Sequence, residues 1–444
     1  MPGCYEDIEL ADLIILVGSN FAWCHPVLHQ RLLAAKETRG ARLVVIDPRA
    51  TATTAAADLH LAIAPGADVA LFNALFAHLA SSPAADGAFV DGCTEGFEAA
   101  LIATTWPPIA DTARTTGIPA DQLKIFFDWV VETPRMLTIY SQGVNQSTSG
   151  TDKVNAIINC HLVTGRIGKP GMGPFSITGQ PNAMGGREVG GLANQLAAHM
   201  DFAPEDRNRV SRFWAAPNVA PSPGLKAVDM FDSVAAGRIK ALWIIATNPA
   251  VSMPEADAVR AAISGCEFVV VSDITGNTDT ARLAHVLLPA TGWGEKEGTV
   301  TNSERRISRQ RAALPAPGQA RHDWRIICDV AARMGWARAF DYAGPAEIFR
   351  EHAALSGLAA GFGKDFDISL WADLDDDADD LGGGAGRRRD ARGQARRHYR
   401  AHRRRVLDVR AAARAPGHGS TAAGCGRARR APAASPAAPS RARP

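Results

Sequence analysis

No two of the seven cysteines, Cys4, Cys24, Cys93, Cys160, Cys266, Cys328 and Cys425, form a CxxC pair. Zinc and iron–sulfur sites draw their ligands from close clusters, so none is expected within this chain. An odd, scattered set also excludes a disulfide framework and fits reduced thiols in the cytoplasm. No stretch approaches the roughly 20 apolar residues of a membrane span. The start, MPGCYEDIEL, is acidic and lacks the basic-then-apolar order of a secretory signal. Positive charge is scarce in the body: residues 1–386 hold 31 Lys+Arg against 44 Asp+Glu, a net of −13. Such a surface is a poor partner for nucleic acid.

What positive charge there is gathers at the end. Residues 387–444 contain 17 Arg, no Lys and only Asp390 and Asp408 as acids. After about Ala372 apolar periodicity stops and Ala, Arg, Gly and Pro dominate, a bias towards GC-rich codons. A shifted reading frame would produce it, and so would a natural disordered basic tail that binds something anionic. Neither packs a core.

The body reads as α/β. Residues 11–17, ADLIILV, form a strand-length apolar run, followed by GSN, a helix over 26–37 with Pro26 in its first turn, and the strand RLVVID. This is a βαβ crossover. LHLAIAP (59–65) is a third strand, and 67–80 an amphipathic helix with Asp68 near its positive end. Residues 86–135 are helical and mixed, 135–143 is a buried strand, and 150–164 a helix. A Gly/Pro-rich stretch, 165–191, reads as one long ordered loop, which inside a compact domain is usually functional. A second unit repeats the pattern: KALWIIA (240–246), a helix over 254–263, EFVVVSD (267–273) and HVLLPA (285–290). The expected fold is thus α/β, two Rossmann-like parallel-sheet units with a disordered C-terminal tail; the paired units suggest either two nucleotide-like sites or one two-armed ligand, a cofactor, in a shared crevice. The expected divisions are 1–138, 139–335, a residual helical segment 336–372, and 373–444.

Polar residues at strand ends carry the chemistry, because ligands of doubly wound sheets bind there. Gly18, Ser19 and Asn20 form a small-residue turn that lets backbone N–H groups approach a phosphate, and they also suit an ordinary βα turn. Asp47 and Asp273 each end a strand, where a carboxylate accepts hydrogen bonds from a guanine edge or ribose diol, or simply caps a turn. Gln142, Asn145 and Gln146 beside Gly143 suit a heteroaromatic edge or an Asn–Gly turn. Lys296, in WGEKEGT, could meet a phosphate or ring carbonyl, although a lysine in a charged loop is more often simply solvated. His25 and His161 read as structural.

Several segments together resemble one family. PGCYEDIELAD (2–12), LVGSNFAWCHPVL (16–28), VVIDPRAT (44–51), the run from SQGVNQ to REVGGL (141–192), ATNPAVSMPEAD (246–257) and LLPATGWGEKEGTVTNSERR (287–306) are similar to molybdopterin oxidoreductases. The likeness is to the assimilatory nitrate reductase branch and covers about residues 2–370. The loop GQPNAMGGREVGGL favours nitrate reductases over formate dehydrogenases, which carry a different loop after the GQ pair.

The resemblance implies a molybdenum held by two molybdopterin guanine dinucleotides. It implies that Gly18, Ser19 and Asn20 cradle one dinucleotide phosphate, and that Asp47, Pro48 and Arg49 read its guanosine, with Gly66 and Asp68 close by. Gln142, Gly143 and Gln146 would face the pterin. Asn248, Ser272 and Asp273 would serve the second dinucleotide, with Lys296 and Asp323 as further contacts. Gln180, Asn182 and Arg187 would line the substrate funnel. Nitrate is the implied substrate, with electrons from a donor protein or reductase subunit; no catalytic residue is nominated. The family's [4Fe–4S] domain and molybdenum-ligating cysteine precede the matching segments, so the chain is expected to lack both and to be inactive alone. Cys4 and Cys24 stand elsewhere and read as structural. Alternatives are a formate dehydrogenase-type member and a non-catalytic fragment.

Overall fold

The computed structural model describes residues 3–104 and 107–373. These fall in the first of two compact units, Met1–Gly383. The basic tail expected over 373–444 lies, beyond Asp373, outside the described residues. No helix among the described residues is long and apolar enough to cross a membrane.

Five parallel strands make the first sheet: β1 (Leu13–Val17), β2 (Arg42–Ile46), β3 (Leu59–Leu61), β4 (Met136–Tyr140) and β5 (Gly173–Ser176). Their order is β3-β2-β1-β4-β5. Every residue of β1 and β4 is buried, as parallel strands covered on both faces require. Side chains alternate between two cores. Leu13, Ile15 and Val17 pack with Leu71, Phe72, Phe126 and Ile157 from the helices Asp68–Ala80, Ala120–Glu132 and Gly150–Val163. Ile14 and Leu16 pack with Ile8, Leu28 and Leu32 from the helices Glu6–Leu10 and Pro26–Arg39. Pro26 opens the latter helix and Gly40, at φ 70°, closes it in the left-handed conformation that glycine adopts cheaply.

The second sheet, β6 (Ala241–Ile245), β7 (Phe268–Asp273) and β8 (Val286–Pro289), is also parallel, in the order β6-β7-β8. Leu242, Ile244, Val269 and Val271 pack under the helices Ala227–Ala235 and Ala256–Gly265. An antiparallel hairpin follows, β9 (Gly298–Thr301) with β10 (Ile307–Gln310). Its turn reaches the chain start: the Tyr5 N–H donates to Glu304 at 3.0 Å, and Arg305 donates to the Gly3 carbonyl at 3.1 Å.

Two expectations are corrected. The stretch 165–191 is not one long loop, because it holds β5 and the helix Ala183–Glu188. A division between 138 and 139 would cut β4, whereas β4 and β5 complete the first sheet. The first α/β unit therefore runs at least to Ser176.

Candidate cofactor site

The order in which the chain adds strands reverses between β1 and β4, and this switch point is where a doubly wound sheet opens a crevice at its strand C-termini. Gly18 leaves β1 there at φ 52°. The Gly143 N–H donates to the Gly18 carbonyl at 3.0 Å. A Cβ on Gly18 would lie 2.8 Å from the Gly143 backbone, and one on Gly143 would lie 2.7 Å from the Gly18 Cα. Only two glycines allow this approach. Beside them Ser19 is 3% exposed, and its Oγ has no hydrogen-bond partner among the described residues. A buried polar atom without a partner calls for an explanation, and a bound polar group supplies one.

The same edge gathers most residues expected from the sequence. Asp47 follows β2; one carboxylate oxygen accepts the Arg49 N–H at 2.9 Å, leaving the other for a ligand. Pro48, Arg49 and Gly66 are exposed, and Gly66, at φ 88°, has open space where a Cβ would stand. Gln142, after β4, donates to Gln180, after β5. Gln146 is exposed beside them. Asp68 is different: it is 7% exposed and pairs with the buried Lys153 at 2.7 Å. Its carboxylate ties two helices together rather than standing free.

At the second sheet's edge, Asn248 follows β6, Asp273 ends β7, and Lys296 follows β8. One Asp273 oxygen accepts the Ile274 N–H at 2.7 Å, so the other is available. Ser272 is 2% exposed and accepts the Trp243 indole N–H at 2.9 Å. Lys296 and Asp323 pair with each other at 2.8 Å. Both are half-buried, so a ligand would meet the two as one unit.

The two edges are built alike. After β1 the Gly18 N–H donates to the carbonyl of Ile46, the residue before Asp47, at 3.0 Å. After β6 the Ala246 N–H donates to the carbonyl of Ser272, the residue before Asp273, at 2.9 Å. Ala246 sits at φ 55°, a left-handed conformation unusual for alanine, matching Gly18 at 52°. Two residues on, Asn20 Oδ1 accepts from Thr53 Oγ1 at 3.0 Å, and Asn248 Oδ1 from Thr280 Oγ1 at 2.6 Å. Each threonine oxygen in turn accepts one backbone N–H at 3.1 Å, from Ala22 and from Ala250.

Gln180 and Asn182 are exposed ahead of the helix Ala183–Glu188, which bears Arg187. Asn182 Oδ1 accepts the Thr301 N–H at 2.9 Å, and Glu188 accepts the Thr301 hydroxyl at 2.8 Å, so β9 holds this segment at both ends. Burial pushes the Glu188 carboxyl up, against the Thr301 bond and the Arg305 charge. Arg187 is exposed. Its charge is felt at Tyr140, the last residue of β4, whose phenol burial pushes up and Ser176 and Arg187 pull down. Arg187 therefore stands near the strand-end edge of the first sheet.

Sequence reasoning missed Thr53, Thr280, Lys153, Glu188 and Thr301. Only the equal spacing of Gly18–Asn20 and Ala246–Asn248 could have pointed to the first two. Of the residues read as structural, His161 and Cys4 have buried partners, whereas Cys24 is exposed and His25 Nε2 has no hydrogen-bond partner among the described residues. His161 is fully buried with its Nε2 2.8 Å from Thr138 Oγ1. The Cys4 thiol, 3.3 Å from Asp7, is pushed up to about 12 by burial and by that carboxylate, which keeps it protonated.

The fold is that of a molybdopterin-enzyme scaffold. Acetylene hydratase from Pelobacter acetylenicus superposes with a TM-score of 0.61 at 17% identity, over 83% of this chain and 54% of that one. The family model of molybdopterin oxidoreductases matches residues 4–333. The chain belongs to the molybdopterin oxidoreductase family. It is 52% identical over 379 residues to a nitrate reductase of Klebsiella oxytoca, covering 85% of this chain and 43% of that protein. It is also 52% identical over 358 residues to a nitrate reductase of Shewanella frigidimarina, covering 80% and 38%. The F420-dependent formate dehydrogenase subunit alpha of Methanocaldococcus jannaschii is 37% identical over 353 residues, covering 79% and 51%. The chain thus spans about half or less of the length of these relatives. The family implies a molybdenum–pterin cofactor. The Ser19 Oγ and the second carboxylate oxygens of Asp47 and Asp273, which have no hydrogen-bond partner among the described residues, and the open face of Gly66 fit such a polar, phosphate-bearing group.

Proposed function

We propose that this chain carries the cofactor crevice of a molybdenum-dependent nitrate reductase, holding molybdenum through two molybdopterin guanine dinucleotides. The doubled strand-end edge carries this reading. A ligand with two equivalent arms meets two equivalent turns, each followed by an acid at the neighbouring strand end. Gly18, Ser19 and Asn20 would take a phosphate of one arm, with Asp47, Pro48 and Arg49 at its guanosine and Gly66 beside them. Asn248, Ser272 and Asp273 would serve the other arm, with the Lys296–Asp323 pair as a combined contact. Gln142, Gly143 and Gln146 lie at the switch point, the place for a pterin.

Bound there, the molybdenum supplies the oxygen-atom transfer that converts nitrate to nitrite; the protein supplies binding, orientation and electrostatics. Arg187 would meet the nitrate oxygens with its planar fork of donors, with Gln180 and Asn182 lining the approach. The electron donor would be a separate protein or reductase subunit, and the setting cytoplasmic. Formate oxidation is the second reading, supported by the formate dehydrogenase relative. The higher identity to nitrate reductases and the GQPNAMGGREVGGL segment favour nitrate.

The chain is to be expressed in a host that makes the cofactor, and guanine and molybdenum measured after purification. Two guanines for each bound molybdenum are expected; a protein free of both overturns the cofactor assignment. Viologen-linked assays with nitrate and formate, on a full-length protein that joins this chain to the family's [4Fe–4S] domain and molybdenum-ligating cysteine, then decide the substrate. Turnover of formate alone overturns the nitrate reading.

A further inference from the structure

The matched Asn–Thr contacts at the two strand-end edges set the direction of each hydrogen bond. A backbone N–H can only donate, so Thr53 Oγ1 accepts from Ala22 and Thr280 Oγ1 accepts from Ala250. Each buried hydroxyl has no other acceptor among the described residues, so its proton goes to the neighbouring asparagine, whose contacting atom is the amide oxygen. At the second site the Thr280 N–H also donates to this oxygen, at 3.2 Å, which leaves no alternative assignment. The amide orientation is therefore fixed by the network and not by choice. Both threonines are fully buried, whereas both asparagines are half-buried. The Nδ2 atoms of Asn20 and Asn248 have no recorded partner among the described residues.

We infer that Thr53 and Thr280 are matched positioning residues, each locking one asparagine amide so that its two N–H donors remain available to a phosphate-type acceptor. The inference rests on the cofactor reading above and adds to it. The residues that meet the ligand are the asparagines; the threonines act through them. The locked oxygen matters because a freely turning amide would present an acceptor to a phosphate half of the time and repel it. The arrangement arises twice in one chain on unrelated local sequence, TATT around Thr53 and NTDT around Thr280. Helix capping does not explain it, since neither asparagine side chain caps the short helix that follows.

The test uses the whole chain with Thr53→Val and Thr280→Val, which keep shape and remove the hydroxyl, and Thr53→Ser and Thr280→Ser, which keep the hydroxyl. Guanosine diphosphate is the probe, followed by calorimetry. Each valine variant is expected to weaken binding at one of two sites by roughly tenfold, the loss of about one good hydrogen bond. Each serine variant should stay within about twofold of the parent. Valine variants that bind like the parent overturn the inference, as do serine variants that bind no better than valine ones. Thermal melts separate a folding defect from a binding one. Should the parent chain fail to bind the nucleotide, the cofactor reading is what suffers. The side-chain amide resonances of 15N-asparagine-labelled protein then judge the latch alone. Asn20 and Asn248 signals that are distinct in the parent and collapse towards free-amide positions in the valine variants support it; signals unchanged by the substitutions overturn it.

Discussion

Gly18 concentrates three demands in one residue: a left-handed φ of 52°, a carbonyl that accepts the Gly143 N–H, and no room for a Cβ within 2.8 Å of the facing backbone. An alanine would have to move a backbone segment, not a flexible side chain. Gly18→Ala is expected to destabilise the fold by about 2–4 kcal/mol, summing left-handed strain and overpacking. Urea denaturation reads this, and Gly66→Ala is the control: it shares the positive φ but meets nothing within 4 Å. It should cost about 1 kcal/mol, the strain alone. Equal losses in the two would remove the close approach as the cause. Asp47 and Asp273 stood out in the sequence because each ends an apolar strand, a place that also suits a turn aspartate, and each does accept a turn N–H. Thr53 and Thr280 were not readable, because a threonine among threonines declares its partner only once the chain has folded.

Between elements, a buried ion pair and a hydrogen-bonded clamp decide what is held. Lys153 and Asp68, 4% and 7% exposed, join the helices Gly150–Val163 and Asp68–Ala80 near the strand-end edge. Removing one partner leaves a charge in the core. Lys153→Ala should therefore cost about 3–5 kcal/mol, while the pair Asp68→Leu with Lys153→Met should be close to neutral. Urea midpoints of the three proteins check both, and a mild single variant would show that water reaches the pair. The clamp joins the helix Ala183–Glu188 to β9 through Thr301. Thr301→Val leaves the buried Glu188 carboxyl without its donor, and amide hydrogen exchange over 182–192 is expected to accelerate roughly tenfold. Thr301→Ser should restore it; exchange that ignores both substitutions would mean that other contacts hold the Arg187 segment. At this scale the apolar runs of β1 and β2 announced themselves, since strands buried on both faces read as continuous apolar stretches; β6 alternates buried and exposed residues and was legible from its apolar, β-branched composition instead. The edge strand β5 did not. It has four residues, GPFS, two of them Gly and Pro, and at an edge a proline removes no needed donor. That is why 165–191 read as a loop and why a division seemed natural at 138.

At the scale of the whole molecule, the first sheet is sealed on both faces, and this makes folding sensitive to acid through a residue of its core. His161 lies in the helix Gly150–Val163, fully buried, with Nε2 against Thr138 on β4 and no recorded partner for Nδ1. Burial, aided by the charge of Arg166, pushes this imidazole down from 6.5 to about 3. The folded chain thus refuses a proton that the unfolded chain accepts below pH 6.5. Stability is intact above that pH and falls as pH drops from 6.5 towards 3, by an amount on the order of a few kcal/mol. His352, which burial pushes down to about 4, acts in the same direction. Urea unfolding across pH 8 to pH 4 should show midpoints steady at the upper end and falling through the lower. Replacing the contact by Thr138→Val with His161→Leu removes the titrating group and leaves no hydroxyl unpaired. That double variant should lose a large part of the slope while keeping its neutral-pH stability. A slope unchanged in the double variant would assign acid sensitivity to other groups. It would also mean that the imidazole of His161 takes its proton without leaving the core.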